Sequence, residues 1–227
     1  SVLGIWHDHR EAAEKDASEA DNTLPTQEEL EAAAQHCDIN GLVIDEDAKT
    51  VYLSDPEMSL DVGSVGKGYA VEMVCRAAEA RGLTSALVSV GGNIRAIGTK
   101  PNSGPWVAGV DNPWPDQDGQ YATASYVDTV ELQPGQSLVI SGDYQRYFTV
   151  DGVRYHHLID LTTLQPARYM NSVAIVSSDS GLGDALSTGV FCMPVEKGQA
   201  LIEQLNDVEA LWMLSDETMV QSSGWGK

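Results

Sequence analysis

The sequence predicts an α+β fold, mainly antiparallel sheets with helices packed on them. Short β-type runs, at 121–128, 137–141, 145–150 and 154–159, follow one another with turn residues between them. Asp151-Gly152, between the last two, is a hairpin turn pair. The helical stretches fall between strands at irregular intervals, unlike the strict alternation that builds a parallel sheet.

In chain order, residues 1–37 are expected as an acidic, partly flexible lead-in to a single domain spanning 1–227. Within it Thr26-Gln27-Glu28-Glu29 has the form of a capping box for a helix to about Gln35. Two strands, Asp38–Val43 and Thr50–Leu53, flank the polar turn 45–49. Apolar residues at helical spacing from Tyr69 to Arg81, then Gly82, predict a helix with a glycine stop. Ser85–Val90 is a buried strand that resumes at Ile94–Gly98. The intervening Gly91-Gly92-Asn93 suggests a bulge or a ligand pressed against the backbone.

Residues 99–120, rich in Pro, Gly, Trp and Asp, form an irregular excursion around a strand at Trp106–Val110. Asn171–Val176 is a further strand. Ser178 or Asp179 caps a helix to about Met193, Pro194 breaks it, and a second helix covers Val195–Leu205. Glu209–Leu214 and Thr218–Ser222 close the chain as a hairpin.

At 227 residues, 42% of them hydrophobic, the chain can bury a core, and it has no apolar run near the length of a bilayer span. A net charge of −21 argues against a nucleic-acid partner, since phosphate backbones demand Lys and Arg. Residues 1–60 carry fifteen acidic against three basic side chains, which reads as a solvated face. Cys37, Cys75 and Cys192 lack zinc-site spacing; Cys75 and Cys192 sit in apolar helical contexts expected to bury them.

Three stretches carry chemistry. Asp61-Val62-Gly63-Ser64-Val65-Gly66-Lys67-Gly68 feeds a helix N-terminus, where free N–H groups and the dipole favour an anion such as phosphate. The alternative is a tight turn whose glycines only allow close packing. Asp184 and Thr188, at i and i+4 on a helix, present two hard oxygen donors of the kind magnesium takes. The alternative is an Asp favourable to its own helix dipole and a Thr bonded back to its helix. As a ligand, Asp184 is expected to be partly exposed and cheap in stability to remove. Tyr155-His156-His157-Leu158-Ile159-Asp160 sets two histidines on opposite strand faces, so at most one enters a given pocket. A His with an Asp three residues on serves acid–base work or holds a phosphate, or is a surface pair.

Together these stretches resemble one family. Asp61 to Ala70, Val88-Ser89-Val90-Gly91-Gly92-Asn93-Ile94-Arg95, Ser141-Gly142-Asp143-Tyr144, His157 to Asp160 and Asp184-Ala185-Leu186-Ser187-Thr188 are similar, in order and spacing, to the ApbE family. These are the FAD:protein FMN transferases, once called thiamine biosynthesis lipoproteins. The resemblance covers about Asp38 to Trp225 and implies an ApbE-like, T-fold-related architecture.

It also implies a magnesium ion on the FAD pyrophosphate, held at the positions of Ser64, Asp184 and Thr188. Asp61, Lys67 and Leu158 would line the flavin nucleotide, and His157, with Asp160 nearby, would assist proton transfer. The implied reaction moves the FMN part of FAD to a Thr or Ser hydroxyl of an acceptor flavoprotein and releases AMP. An FAD pyrophosphatase and a non-catalytic flavin-binding protein are the alternatives. Relatives are often exported and tethered to a membrane, so an extracytoplasmic location is expected. Leu161 stands where the family usually has Pro. Family members also carry a further third of chain upstream, contacting the flavin and adenine rings. None is visible here, so an N-terminally truncated form with an incomplete flavin pocket is expected.

Overall fold

The computed structural model describes residues 1–15, 22–101, 104–114 and 125–227. Where the sequence reads as a single domain, the contacts divide the chain into two units. One contains residues 1–61 and 145–166, the other 62–144 and 167–227.

The first unit begins with helix α1 (Val2–Lys15), where a flexible acidic lead-in was expected. Counting acids concealed the apolar positions Val2, Ile5, Trp6 and Ala13, which recur at helical spacing and join one cluster. Trp6 is 2% exposed, stacks on Tyr155 at 5.8 Å between centroids, and donates its indole N–H to the Leu164 carbonyl at 2.9 Å. Helix α2 (Gln27–Ala34) starts on the predicted box, with Thr26 and Glu29 each accepting from the other's backbone. Leu30 of α2 completes the cluster with Phe148.

Strand β1 is Leu42–Asp45, later than the expected Asp38–Val43, because Asp38 caps a short 3₁₀ turn, Ile39–Gly41, through the Asn40 N–H. It pairs antiparallel with β2 (Thr50–Leu53), and Lys49 takes a left-handed φ of 55° in the turn. Later in this unit β8 (Tyr147–Val150) and β9 (Val153–His156) form the hairpin that Asp151-Gly152 predicts. A two-residue pair, β10 (Ile159–Asp160) with β11 (Gln165–Pro166), follows.

The second unit is built on a six-stranded, wholly antiparallel sheet. Its members are β3 (Ala86–Val90), β4 (Asn93–Ile97), β7 (Ser137–Gly142), β12 (Ser172–Ser177), β13 (Val208–Met213) and β14 (Met219–Gln221). Their order is β14-β13-β12-β7-β4-β3. Gly91 and Gly92, at φ 53° and 88°, form the tight β3–β4 hairpin turn rather than a bulge, a geometry that L side chains rarely adopt. One sheet face packs Ile94, Ala96, Leu138, Ile140, Ala174 and Leu211 against the hairpin β5 (Trp106–Asp111) and β6 (Tyr126–Leu132). Part of the expected strand 121–128 lies outside the described residues.

The opposite face carries helices α3 (Gly66–Ala80) and α4 (Ser180–Phe191). Val71 and Cys75 of α3 pack on Ile97, with Ala86 and Val88 beside them. Asp179 caps α4 through the N–H groups of Gly181 and Leu182, as predicted. Helix α5 (Val195–Ile202) starts after Pro194. All three cysteines are free thiols; Cys75 is buried, whereas Cys192 is only partly so.

Candidate functional site

Helix α3 has no cap of its own. Val65 occupies the cap position, and its apolar side chain offers no acceptor. The acceptor comes from α4: Asp184 Oδ2 takes the Gly68 N–H at 2.8 Å. Gly68 makes this approach feasible, because a Cβ there would stand 2.6 Å from the Asp184 Cβ and overlap the Ser180 carbonyl. The glycine therefore serves close packing and places a carboxylate at the helix N-terminus. Of the two alternatives read from the sequence, Gly68 meets the close packing, and the anion at this helix end is the chain's own carboxylate.

Asp184 is 2% exposed, so the expected partly exposed ligand is instead a buried carboxylate. Its other oxygen, Oδ1, faces the Lys67 ammonium at 3.3 Å. The Lys67 side chain is 38% exposed and its Cδ would lie 3.6 Å from a Cβ at Gly91, so it passes along the β3–β4 turn. A cation thus already stands beside this anion. On the next turn of α4, Ser187, not Thr188, bonds back to the helix: its hydroxyl donates to the Asp184 carbonyl at 2.9 Å and meets Ser141 Oγ at 2.8 Å. No described residue holds the Thr188 hydroxyl in a hydrogen bond. Ser64 is exposed, four residues before Gly68, which confines it to within about 15 Å of that capped turn.

A second network, not anticipated from the sequence, locks the two helices from the other side. Glu72 is 1% exposed; its Oε2 accepts from Arg95 Nε at 2.9 Å and from the Ser180 N–H at 3.0 Å. Its Oε1 accepts from Arg76 Nε at 2.7 Å, and Arg76 also reaches Asp179 at 3.0 Å. Burial pulls the Arg95 pKa down, but hydrogen bonds to Glu79 and Glu72 outweigh it and leave it raised, so Arg95 stays charged. Each helix therefore has a carboxylate of the other at its N-terminus. The available signal was the i, i+4 spacing of Glu72 and Arg76 on the predicted helix.

Asp61, His157, Leu158 and Asp160 belong to the first unit. His156 is buried, and its Nδ1 accepts the Leu158 N–H at 3.2 Å, which puts the proton of a neutral ring on Nε2. His157 is partly exposed, with Nδ1 3.3 Å from the Arg146 carbonyl. The two histidines thus divide between inside and outside, but not by the expected strand alternation, since β9 ends at His156 and His157 lies in the bend that follows. Asp160, 4% exposed, accepts both the Thr162 N–H and hydroxyl on Oδ1, at 2.8 and 2.7 Å. It thereby holds the turn that Leu161 occupies in place of the family's Pro. Leu158 is 4% exposed; Asp61 is exposed.

An antiparallel sheet with one helical face, on which two helices cap each other, defines an α+β architecture shared with solved flavin transferase structures. The ApbE protein of Thermotoga maritima superposes with a TM-score of 0.81 at 30% identity, over 98% of this chain and 67% of its own. The Pseudomonas stutzeri flavinyl transferase ApbE gives 0.74 at 27% identity, over 98% and 65%.

The ApbE family model matches residues 2–212, and the chain belongs to that family. Relatives named FAD:protein FMN transferase include one of Klebsiella pneumoniae, 32% identical over 183 residues, and one of Treponema pallidum, 35% identical over 184. These matches take in 80% and 77% of this chain but 54% and 49% of the relatives, so the chain spans about half their length. Among the described residues, no helix is long and apolar enough to cross a membrane.

Proposed function

We propose that this chain forms the metal and pyrophosphate end of a magnesium-dependent flavin transferase, moving FMN from FAD to a Thr or Ser hydroxyl of an acceptor flavoprotein. The observation that carries this reading is the buried Asp184 carboxylate at the N-terminus of α3. A phosphate attracted to that helix end would meet a fixed negative charge, so it needs a cation between them. Asp184 Oδ1 and the Thr188 hydroxyl, with Ser64, supply the oxygen donors suited to magnesium, and the Lys67 ammonium marks where positive charge is favoured. No three His, Cys, Asp or Glu side chains gather as a metal cluster among the described residues. The donor set is thus one carboxylate with neutral oxygens, which leaves coordination sites for phosphate.

Bound magnesium would spread the pyrophosphate charge and ease the departure of AMP. Lys67 contributes a point charge to a phosphate oxygen. The acceptor hydroxyl oxygen bonds to the FMN-side phosphorus, the pyrophosphate P–O bond breaks, and AMP leaves with the electron pair. Family resemblance alone assigns the hydroxyl proton to His157. A proton on its Nδ1, given to the Arg146 carbonyl, leaves Nε2 as the basic nitrogen. Asp61 and Leu158 line the nucleotide in this reading, and Asp160 holds the His157 loop. Family resemblance extends the proposal to an extracytoplasmic location and a membrane tether, which cell fractionation checks.

The test incubates the protein with FAD and magnesium, with and without a Thr-containing acceptor domain. FMN on the acceptor, with AMP in equal amount, is expected. AMP released without acceptor means a pyrophosphatase, and neither product means a binding protein.

A further inference from the structure

Asn93 opens β4 and is 1% exposed, yet its Oδ1 meets no hydrogen-bond donor among the described residues. A buried amide oxygen left without a donor opposes folding, and each such case in a native protein calls for a reason. Strand pairing settles where the side chain points. Asn93 lies directly opposite Val139 on β7, so the two share a sheet face. Val139 Cγ2 stands 3.0 Å from where a Cβ of Gly183 would be, the residue just before Asp184. Two residues along the same face, Arg95 reaches Glu72 and through it the start of α4. Two residues back, Gly91 lies against Lys67. Asn93 is thus set beneath the junction where α3 begins and Asp184 sits.

Resting on the cation reading of Asp184 above, we propose that Asn93 is a positioning residue of that site: its Oδ1 accepts a hydrogen bond from a water in the shell of the bound divalent cation. Magnesium keeps several waters when it binds proteins, and each needs an acceptor. Asp184 Oδ2 is occupied by Gly68, so it does not serve as that acceptor. A neutral amide oxygen does so without adding a second negative charge beside the phosphate. A water of the bound cation then gives the Asn93 oxygen the donor that no described residue supplies.

This carries an unusual signature, a substitution that weakens binding without weakening the fold. The experiment titrates Mn²⁺ into the wild type, Asn93→Leu, Asn93→Asp and Asp184→Asn, counting free ion by electron paramagnetic resonance, with thermal melts in EDTA. Asn93→Leu is expected to melt no lower than wild type and to bind Mn²⁺ at least tenfold more weakly; Asn93→Asp, which restores an acceptor, is expected to bind at least as tightly as wild type. Unchanged Mn²⁺ affinity in Asn93→Leu overturns the proposal. If it also melts lower, Asn93 and the equally orphaned Ser180 hydroxyl hold a structural water instead. If the Leu variant loses both melting temperature and affinity, Asn93→Asp decides: recovered affinity supports the proposal and continued loss overturns it. Asp184→Asn separates the two levels. Loss there with no effect at Asn93 defeats this proposal alone, whereas wild-type affinity in Asp184→Asn defeats the cation reading too.

Discussion

Asp184 Oδ2 accepts the Gly68 N–H at 2.8 Å across 116 residues of sequence, so one carboxylate completes α3 and, in the function proposed above, would also hold a cation. The two roles separate by substitution. Asp184→Asn keeps an acceptor for Gly68 and is expected to lose magnesium-dependent turnover with little change in urea stability. Asp184→Ala loses the acceptor too, and cap loss typically costs about 1 kcal/mol, up to about 2. Equal stability of the two variants in urea melts would mean that Asp184 is not the cap of α3.

Gly68→Ala tests the close approach itself. An added Cβ would overlap the Ser180 carbonyl, which is backbone and cannot swing away. Overpacking of this kind typically costs about 1–3 kcal/mol. A larger loss of magnesium affinity than of stability is expected, since the helices must part where Asp184 and Lys67 meet. A variant that melts and binds as wild type would show that the junction yields easily.

Glu72 is held by two guanidinium groups and a backbone N–H, with its side chain 1% and that of Arg95 6% exposed. Removing one partner of a buried pair strands the other charge, typically at a cost of about 3–5 kcal/mol. Glu72→Leu is therefore expected to be the most destabilising of these substitutions in denaturant melts. Replacing Arg95 by Met in the same chain should recover part of the loss. Additive losses in the double variant would sink this account.

His36 supplies a pH dependence in the first unit. Its Nδ1 lies 2.7 Å from Asp55 Oδ2. The hydrogen bond to Asp55 raises the His36 pKa, burial opposing it, and the same bond lowers the Asp55 carboxyl. For His36 the contribution is full below its unfolded value of about 6.5 and fades as pH rises through the raised folded value. For Asp55 it is full above an unfolded value of about 3.9 and is lost as pH falls through the lowered folded value. Melting temperature should fall as pH rises from 6 toward 8, and His36→Gln should flatten that slope. An identical slope in the variant would remove His36 from the account.

What the sequence made legible was mostly local. The Thr26–Glu29 box, the Asp151-Gly152 turn, the Asp179 cap and the glycine stop at Gly82 depend on residues a few positions apart, and each is found in place. Helix α1 was missed because its sparse apolar positions acquire meaning only against Phe148 and Tyr155, far along the chain. The burial of Asp184 and the Glu72 network were hidden for the same reason. Both join α3 to α4 over more than a hundred residues, where periodicity carries no information. The bulge expected at Gly91-Gly92 is a tight turn instead, because both ask for the same residue type.

The reciprocal capping of α3 and α4 bears on the order of assembly. Gly68 to Asp184 spans 116 residues and Glu72 to Ser180 spans 108, so α3 gains its cap, and the Ser180 N–H its acceptor, only once the chain between them has closed. Long closures are costly in entropy and come late in folding. A nascent or partly unfolded chain then holds Lys67 and Asp184 apart, so the junction between them does not exist half-built. The Gly68 and Ser180 amides should also exchange with solvent deuterium together, at one rate, as a single cooperative opening. Assembly of the Lys67–Asp184 junction and completion of the second unit are on this view one event.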